Sequence, residues 1–255
     1  MNVDLFKGQA AIVTGAGQGI GFEICRQLAL QGAGVLLNDI DDTLTGSCVK
    51  RIKAEGGNCI GLSGDASDIG FINKMVGEAV NNFGKLTIAI ANAGITLFAD
   101  FFDYTPASFN KVMQLNLGGS FFLAQAAAKQ MKQQSTGGSI LFMSSVVGHQ
   151  AHKHLAAYAI TKAGLEMLAK NLVIELSPYN INVNAIAPGA TLTERTMDDK
   201  EYEKTWSRIT PAGKPASTID IANAALFLVS SNAKHITGQS LIIDGGWTSV
   251  SPSPY

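Results

Sequence analysis

The chain has 255 residues, 46% of them apolar and 15% charged, with 27 glycines and a formal net charge of -1. That size and apolar share suit one compact domain with a large core. So small a net charge supplies no global field for nucleic acid or an anionic membrane. Residues 1–7 contain Asp4 and no long apolar run, so no signal peptide is expected, and no run of about 18 apolar residues suggests a spanning helix. Cys25, Cys48 and Cys59 read as reduced thiols of a cytoplasmic protein, not a disulfide frame.

Residues 9–14 form a short buried-strand pattern, Gln-Ala-Ala-Ile-Val-Thr. Gly15-Ala-Gly-Gln-Gly-Ile-Gly21 follows at once, then a helical pattern over 22–30. In a strand, glycine turn, helix unit the glycines let the backbone approach a phosphate. The helix N-terminus then offers free N–H groups and a positive dipole end. The spacing is Gly-x-x-x-Gly-x-Gly, not Gly-x-Gly-x-x-Gly, and it lacks the Gly-Lys-Ser/Thr ending of a triphosphate-binding loop. The alternative is a glycine-rich turn with no ligand. Residues 34–40 predict a second strand, closed by Asp39. An acid about 20 residues past the glycines can accept from both ribose hydroxyls of an adenosine, and it repels a 2′-phosphate. No Arg or Lys follows directly and Gln18 is uncharged, so the sequence favours NAD over NADP. Asp39 could instead cap the next helix, as could Asp41 or Asp42.

An amphipathic helix is expected over 43–55 and a third strand over 59–63, ending at Gly64-Asp65. Asp68 is expected to cap a helix that runs to Phe83. The fourth strand, 86–91, is apolar throughout, which implies cover on both faces. Asn92-Ala93-Gly94 ends it, either as a plain turn or as backbone lying against a cofactor ribose. A long helical segment over 106–131 is interrupted at Asn116-Leu-Gly-Gly119. A buried asparagine beside two glycines is costly in a helix, so a bend or an aimed polar group is expected there. The fifth strand, 139–144, delivers Ser145. A helix from about 155 ends at Ser177-Pro178, and a sixth strand at 182–187 leads into Pro188-Gly189. Residues 190–217 are polar and irregular, a pattern of a substrate lid. A helix over 219–230, a last strand over 240–244 and a loose tail after Trp247 complete the chain.

Strand and helix alternate without a linker. Residues 1–255 therefore read as one α/β domain, a doubly wound, Rossmann-like parallel sheet of about seven strands with helices on both faces. Ligands of such sheets sit at the carboxyl ends of strands. Gly15, Asp39, Asp65, Asn92, Ser145 and Pro188 all follow predicted strands and should gather along one edge.

Tyr158 and Lys162 are four apart in an Ala/Leu-rich helical run, so they share a face. A free tyrosine, with a pKa near ~10, is a poor base at neutral pH. An ammonium beside such a ring favours the phenolate, which could exchange a proton with an alcohol or carbonyl oxygen. Ser145 could hold the same oxygen. Alone, the pair could equally be a surface Tyr/Lys pair.

Together, Thr14-Gly-Ala-Gly-Gln-Gly-Ile-Gly21, Asp65, Asn92-Ala-Gly94, Asn116, Ser145, Tyr158-x-x-x-Lys162 and Pro188-Gly189 with Thr193 resemble the short-chain dehydrogenase/reductase family over essentially the full length. The Ser-to-Tyr spacing of thirteen fits as well. The resemblance implies an NAD(P)-dependent oxidoreductase in which Tyr158 is the general acid/base. Lys162 then assists it and binds the nicotinamide ribose, Ser145 positions the substrate oxygen, and Asn116 holds a water joined to Lys162. It implies a cofactor site of Gly15, Gln18, Gly19, Ile20, Gly21, Asp39, Asp65, Ala66, Asn92, Ala93, Gly94, Tyr158, Lys162, Pro188, Gly189 and Thr193. It also implies a homotetramer built partly on the two long helices.

His149, Gln150, His152, Lys153 and His154 precede Tyr158 and are expected to border the mouth. No Cys, Asp or Glu lies near enough in sequence to complete a metal set with His152 and His154, so no metal is expected. Arg195, Tyr202 and Trp206 could form a wall or a charge clamp, or lid surface. The substrate contacts expected are Ser145, His149, His152, Tyr158, Arg195 and Trp206. A polar mouth with NAD suits a small sugar or polyol, in the manner of a glucose 1-dehydrogenase. A 3-oxoacyl thioester or a hydroxysteroid is the alternative substrate, and an NAD(H)-binding sensor or scaffold the alternative class.

Overall fold

The computed structural model describes residues 4–250, so the tail beyond 250 lies outside the described residues. Its elements run β1 (Ala10–Val13), α1 (Gly19–Leu30), β2 (Gly34–Asp39), α2 (Asp42–Ala54), β3 (Asn58–Ser63), α3 (Ile69–Phe83) and β4 (Ile88–Ala91). There follow α4 (Pro106–Val112), a π-helical turn (Met113–Gly119), α5 (Ser120–Gln134), β5 (Gly138–Met143), α6 (Ala156–Leu176) and β6 (Ile181–Pro188). The last third holds β7 (Thr191–Leu192), α7 (Tyr202–Ile209), β8 (Ala216–Ser217), α8 (Thr218–Val229) and β9 (Ser240–Ile243).

Seven strands form one parallel sheet in the order β3-β2-β1-β4-β5-β6-β9. Strand residues alternate between two cores, because successive side chains point to opposite faces. Ala11, Val13, Val35 and Leu37 pack with Ile24 and Leu28 of α1 and with Ile221 and Ala225 of α8. Ile12 and Leu36 pack with Ile72 and Met75 of α3, Leu123 and Ala127 of α5, and Leu165 and Ala169 of α6. Covering both faces is what the continuous apolar strands require. Strand order reverses between β1 and β4, so their carboxyl ends open the crevice in which such sheets bind ligands.

The boundaries shift for local reasons. The α1 helix starts inside the glycine turn, at Gly19 (φ 60°), three residues before its apolar periodicity begins. Leu86 lies outside β4 because the Gln134 amide takes its backbone N–H and C=O, at 2.9 and 2.8 Å. The interruption expected at 116–119 is the π-helical turn. Gly119 is needed there, since a Cβ would lie 2.6 Å from the Ala66 carbonyl oxygen. The polar 190–217 segment carries α7 and the small β7–β8 pair.

Asp68 caps α3 as its sequence suggests, accepting from Phe71 N at 2.6 Å, and Gly84 (φ 77°) ends the helix in the left-handed region. Replacing Asp68 by Ala should lower unfolding free energy by about 1 kcal/mol. Urea unfolding checks this, and an unchanged midpoint would mean that the cap contributes nothing.

Candidate active site

The crevice between the ends of β1 and β4 is a cavity of about 590 Å³. Its walls include Gly15, Gln18, Gly19, Ile20, Gly21, Asp39, Asp65, Ala66, Asn92, Ala93, Gly94, Tyr158, Lys162, Thr193 and Arg195.

 

Fourteen of the sixteen residues expected to hold the cofactor line this cavity, and the two that do not are Pro188 and Gly189. Pro188 ends β6 inside the sheet. Gly189 donates to the Ile243 carbonyl at 2.9 Å, and a Cβ on it would lie 2.6 Å from Asp244 Cβ, so it is glycine for the sake of the β9 edge.

The glycine turn is shaped by close approaches. A Cβ on Gly15 would lie 2.7 Å from Ala93 Cα, and one on Gly17 2.8 Å from the Asp39 carboxylate. Asp39 is fixed at both oxygens, by Gly17 N at 2.9 Å and Asp41 N at 3.1 Å. The cap of α2 is Asp41, not Asp39. No side chain of its own caps α1, and Gly19 N instead donates to Glu194 Oε2 at 2.9 Å. A carboxylate therefore stands where a helix N-terminus favours an anion. These features fit a dinucleotide: room at the turn, an anion position, and an acid set for ribose hydroxyls.

Asn92 lines the cavity, yet its amide is spent on the protein. Nδ2 donates to the carbonyls of Thr14 and Gly15 at 2.9 and 2.8 Å, tying the end of β4 to that of β1. Asn116 is fully buried in the π-helical turn, with its amide paired to Ile95 N and O at 2.9 Å each. Gly94 lies between it and Lys162: a Cβ there would be 3.3 Å from Asn116 Oδ1 and 3.6 Å from Lys162 Nζ.

Lys162 is 3% exposed, and its ammonium donates to the Met143 carbonyl at 2.6 Å. Nζ lies 5.2 Å from the Tyr158 ring centroid, one helical turn away on α6. Ser145 follows β5 but is not among the lining residues, and its Oγ accepts a long bond from Val147 N, 3.4 Å. Burial pushes the Cys59 thiol up to about 12 and Cys25 well above its usual value, so neither is a ready thiolate.

Several expected substrate contacts are elsewhere. His149 turns away from the cavity to Glu166, 2.8 Å from Nε2 to Oε1. His152 is exposed, with Nδ1 3.3 Å from its neighbour's carbonyl. Trp206 packs edge-to-face on Trp247 at 5.3 Å and beside Tyr202 at 6.0 Å, so it is part of the protein's own packing. Arg195 does line the cavity. The sequence reading missed Lys111, Gln114, Glu166 and Glu194. Glu166 was findable as the next turn of the Tyr158–Lys162 face; Glu194 follows Thr193 but nothing local announces its reach to Gly19.

A family profile described as Enoyl-(Acyl carrier protein) reductase matches residues 15–248. The chain is 38% identical to an L-rhamnose 1-dehydrogenase (NAD(P)(+)) of Azotobacter vinelandii, over 95% of this chain and 97% of that one. A short-chain type dehydrogenase/reductase from Mycobacterium marinum superposes with TM-score 0.91 at 29% identity, covering 97% and 98%. A 7α-hydroxysteroid dehydrogenase solved with NADH and 7-oxo glycochenodeoxycholic acid superposes with TM-score 0.90 at 35% identity, covering 96% of each. The chain belongs to the short-chain dehydrogenase/reductase family, and is a nicotinamide-dependent oxidoreductase acting on CH–OH groups.

Proposed function

We propose that the chain interconverts a secondary alcohol and its ketone on a small polar substrate, a sugar or polyol, with NAD as the preferred cofactor. One observation carries this: Tyr158 and Lys162 share a cavity with the glycine turn and Asp39. When bound, the nicotinamide supplies the hydride acceptor or donor. Tyr158 exchanges a proton with the substrate oxygen, and Ser145 hydrogen-bonds that oxygen. The Lys162 ammonium favours the phenolate form of a neighbouring tyrosine and offers donors to a ribose. Asn116 braces the wall around Lys162.

The glycine turn and the start of α1 would hold the pyrophosphate, close to the Gly19 N–H that Glu194 takes. Asp39 would accept from the adenosine ribose hydroxyls, Asp65 and Ala66 would border the adenine, and Thr193 the carboxamide. Residues 190–217 form the lid of this single domain, and Arg195 is its polar contact. The A. vinelandii relative's name and the polar wall of Thr96, Lys111, Gln114 and Arg195 support the sugar reading. A hydroxysteroid is the second reading. Phe98, Phe101 and Phe102 are exposed on the segment that meets the His154 loop through Ala99 N, 3.3 Å from the His154 carbonyl.

The reading includes a homotetramer. Ile160, Met167 and Ile174 are exposed on α6, Phe121 on α5, and an apolar groove lies between the two helices. The three unbridged cysteines support a reducing, cytoplasmic setting.

Absorbance at the reduced-nicotinamide band, with NAD or NADP and a panel of sugars, polyols, hydroxysteroids and 3-oxoacyl thioesters, tests the substrate class. Turnover on steroids but not on sugars or polyols would select the second reading. Tyr158→Phe should lower kcat/KM by about 10²–10⁴-fold while NADH still binds, since proton transfer is what is lost. Full activity in that variant would end the mechanism. Asp39→Ala should weaken NAD at least about tenfold, near 1.4 kcal/mol, and NADP much less. Equal loss for both cofactors would remove the basis for the NAD preference.

A further inference from the structure

Proton transfer at Tyr158 leaves one polar cluster unexplained. Glu166 lies one turn beyond Lys162 on α6, with its side chain 11% exposed. Its Oε1 accepts from Ser144 Oγ at 2.6 Å and from His149 Nε2 at 2.8 Å. Ser144 Oγ is also 3.0 Å from the Lys162 carbonyl. Ser240 Oγ, on β9, approaches the same His149 nitrogen at 3.5 Å. A Cβ on Gly148 would lie 2.9 Å from Glu166 Oε1, so the loop passes this closely because residue 148 is glycine.

One carboxylate thus grips the chain on both sides of Ser145, at Ser144 before it and at His149 after it. It does so from the helix that carries Tyr158 and Lys162. Among the described residues, Ser145 itself has only the long bond from Val147 N to hold its hydroxyl. Its place relative to Tyr158 therefore depends on the segment that bears it. Bonds to a charged acceptor are the stronger and more directional kind, and they fix register where apolar contact would let the turn slide.

We propose that Glu166 is a positioning residue: it holds the 144–149 turn against α6 and so sets Ser145 relative to Tyr158 and Lys162. The proposal rests on Ser145 being the residue that holds the substrate oxygen.

The test is a cycle of wild type, Glu166→Ala, Ser145→Ala and the double variant, with Glu166→Gln as the conservative control. Glu166→Ala should lower kcat by about tenfold or more, with KM less affected, and in the Ser145→Ala background it should cost less than about twofold, because coupled residues are not additive. Glu166→Gln, whose amide oxygen can still accept from Ser144, should recover most of the rate. NADH affinity should not change in any of them. If Glu166→Ala does not fold, Ser144→Ala takes its place in the cycle. Additive losses, or a matching loss of NADH affinity, would overturn the proposal. A second readout needs no substrate. Amide exchange across 144–149 should quicken by about tenfold or more in Glu166→Ala and stay near wild type in Glu166→Gln. Unchanged exchange would overturn the proposal even if no substrate on the panel turned over, whereas quickened exchange without wild-type turnover would count against the substrate reading alone.

Discussion

A cation removed from water needs acceptors, and the buried ammonium of Lys162 has one among the described residues, the Met143 carbonyl at 2.6 Å. An ammonium carries three donors, so two remain on the wall of the cavity. The surrounding backbone is arranged around that charge. Gly94 lies beside it, where a Cβ would stand 3.3 Å from Asn116 Oδ1 and 3.6 Å from Nζ. Asn116 is brought behind it by a π-helical turn, and the Tyr158 ring lies 5.2 Å away on the same helix. The ends of β4 and β5, the π-helical turn and α6 therefore converge on a single charged group.

The sheet makes that convergence possible. Because strand order reverses at β1 and β4, the connections leaving these paired strands turn to opposite faces of the sheet and open a crevice above the strand ends. The crevice would be too loose to hold a ligand if its lips could slide. Asn92 prevents this by bonding across it to the carbonyls of Thr14 and Gly15. Buried carbonyls at a strand end need such partners, so the same bonds satisfy the backbone and fix the gap. Asp39 plays a similar part on the other lip: its two oxygens are held by backbone amides, so its carboxylate is ordered before any ribose arrives.

The alternation of strands and helices was legible because each strand is apolar and each helix periodic. The pairing of both sheet faces follows from the same pattern. The glycine turn, Asp39 and the Tyr158–Lys162 face were legible because their spacing is local. What escaped was long-range or directional. That Asn92 points at the protein rather than a ligand depends on β1 lying beside β4, 78 residues earlier in the chain for its bond to Thr14. His149 lay in a histidine-rich stretch next to the mouth, and only the position of Glu166 on the packed helix turns it away. Trp206 read as a lid aromatic, but Trp247, far along the chain, supplies its packing partner. Gly189 read only as part of a cofactor motif; the approach of Asp244 across the sheet edge, which also calls for glycine there, comes from a strand far along the chain.

The contrast between Ser145 and its neighbours explains why a polar cluster, rather than apolar packing, sits beneath the turn. Tyr158 and Lys162 are placed by helix geometry, which is rigid. Ser145 stands at the start of a three-residue 3₁₀ turn, Val146–Gly148, where the ladder of β5 has ended. Val146 and Val147 are buried, so apolar contact holds the turn down but does not decide its rotation. Rotation is decided by bonds with direction, and among those that reach α6 are the ones from Ser144 and His149 to the same oxygen of Glu166 and the one from Ser144 Oγ to the Lys162 carbonyl. Since both acceptors belong to α6, these bonds tie the turn to the helix that carries Tyr158 and Lys162.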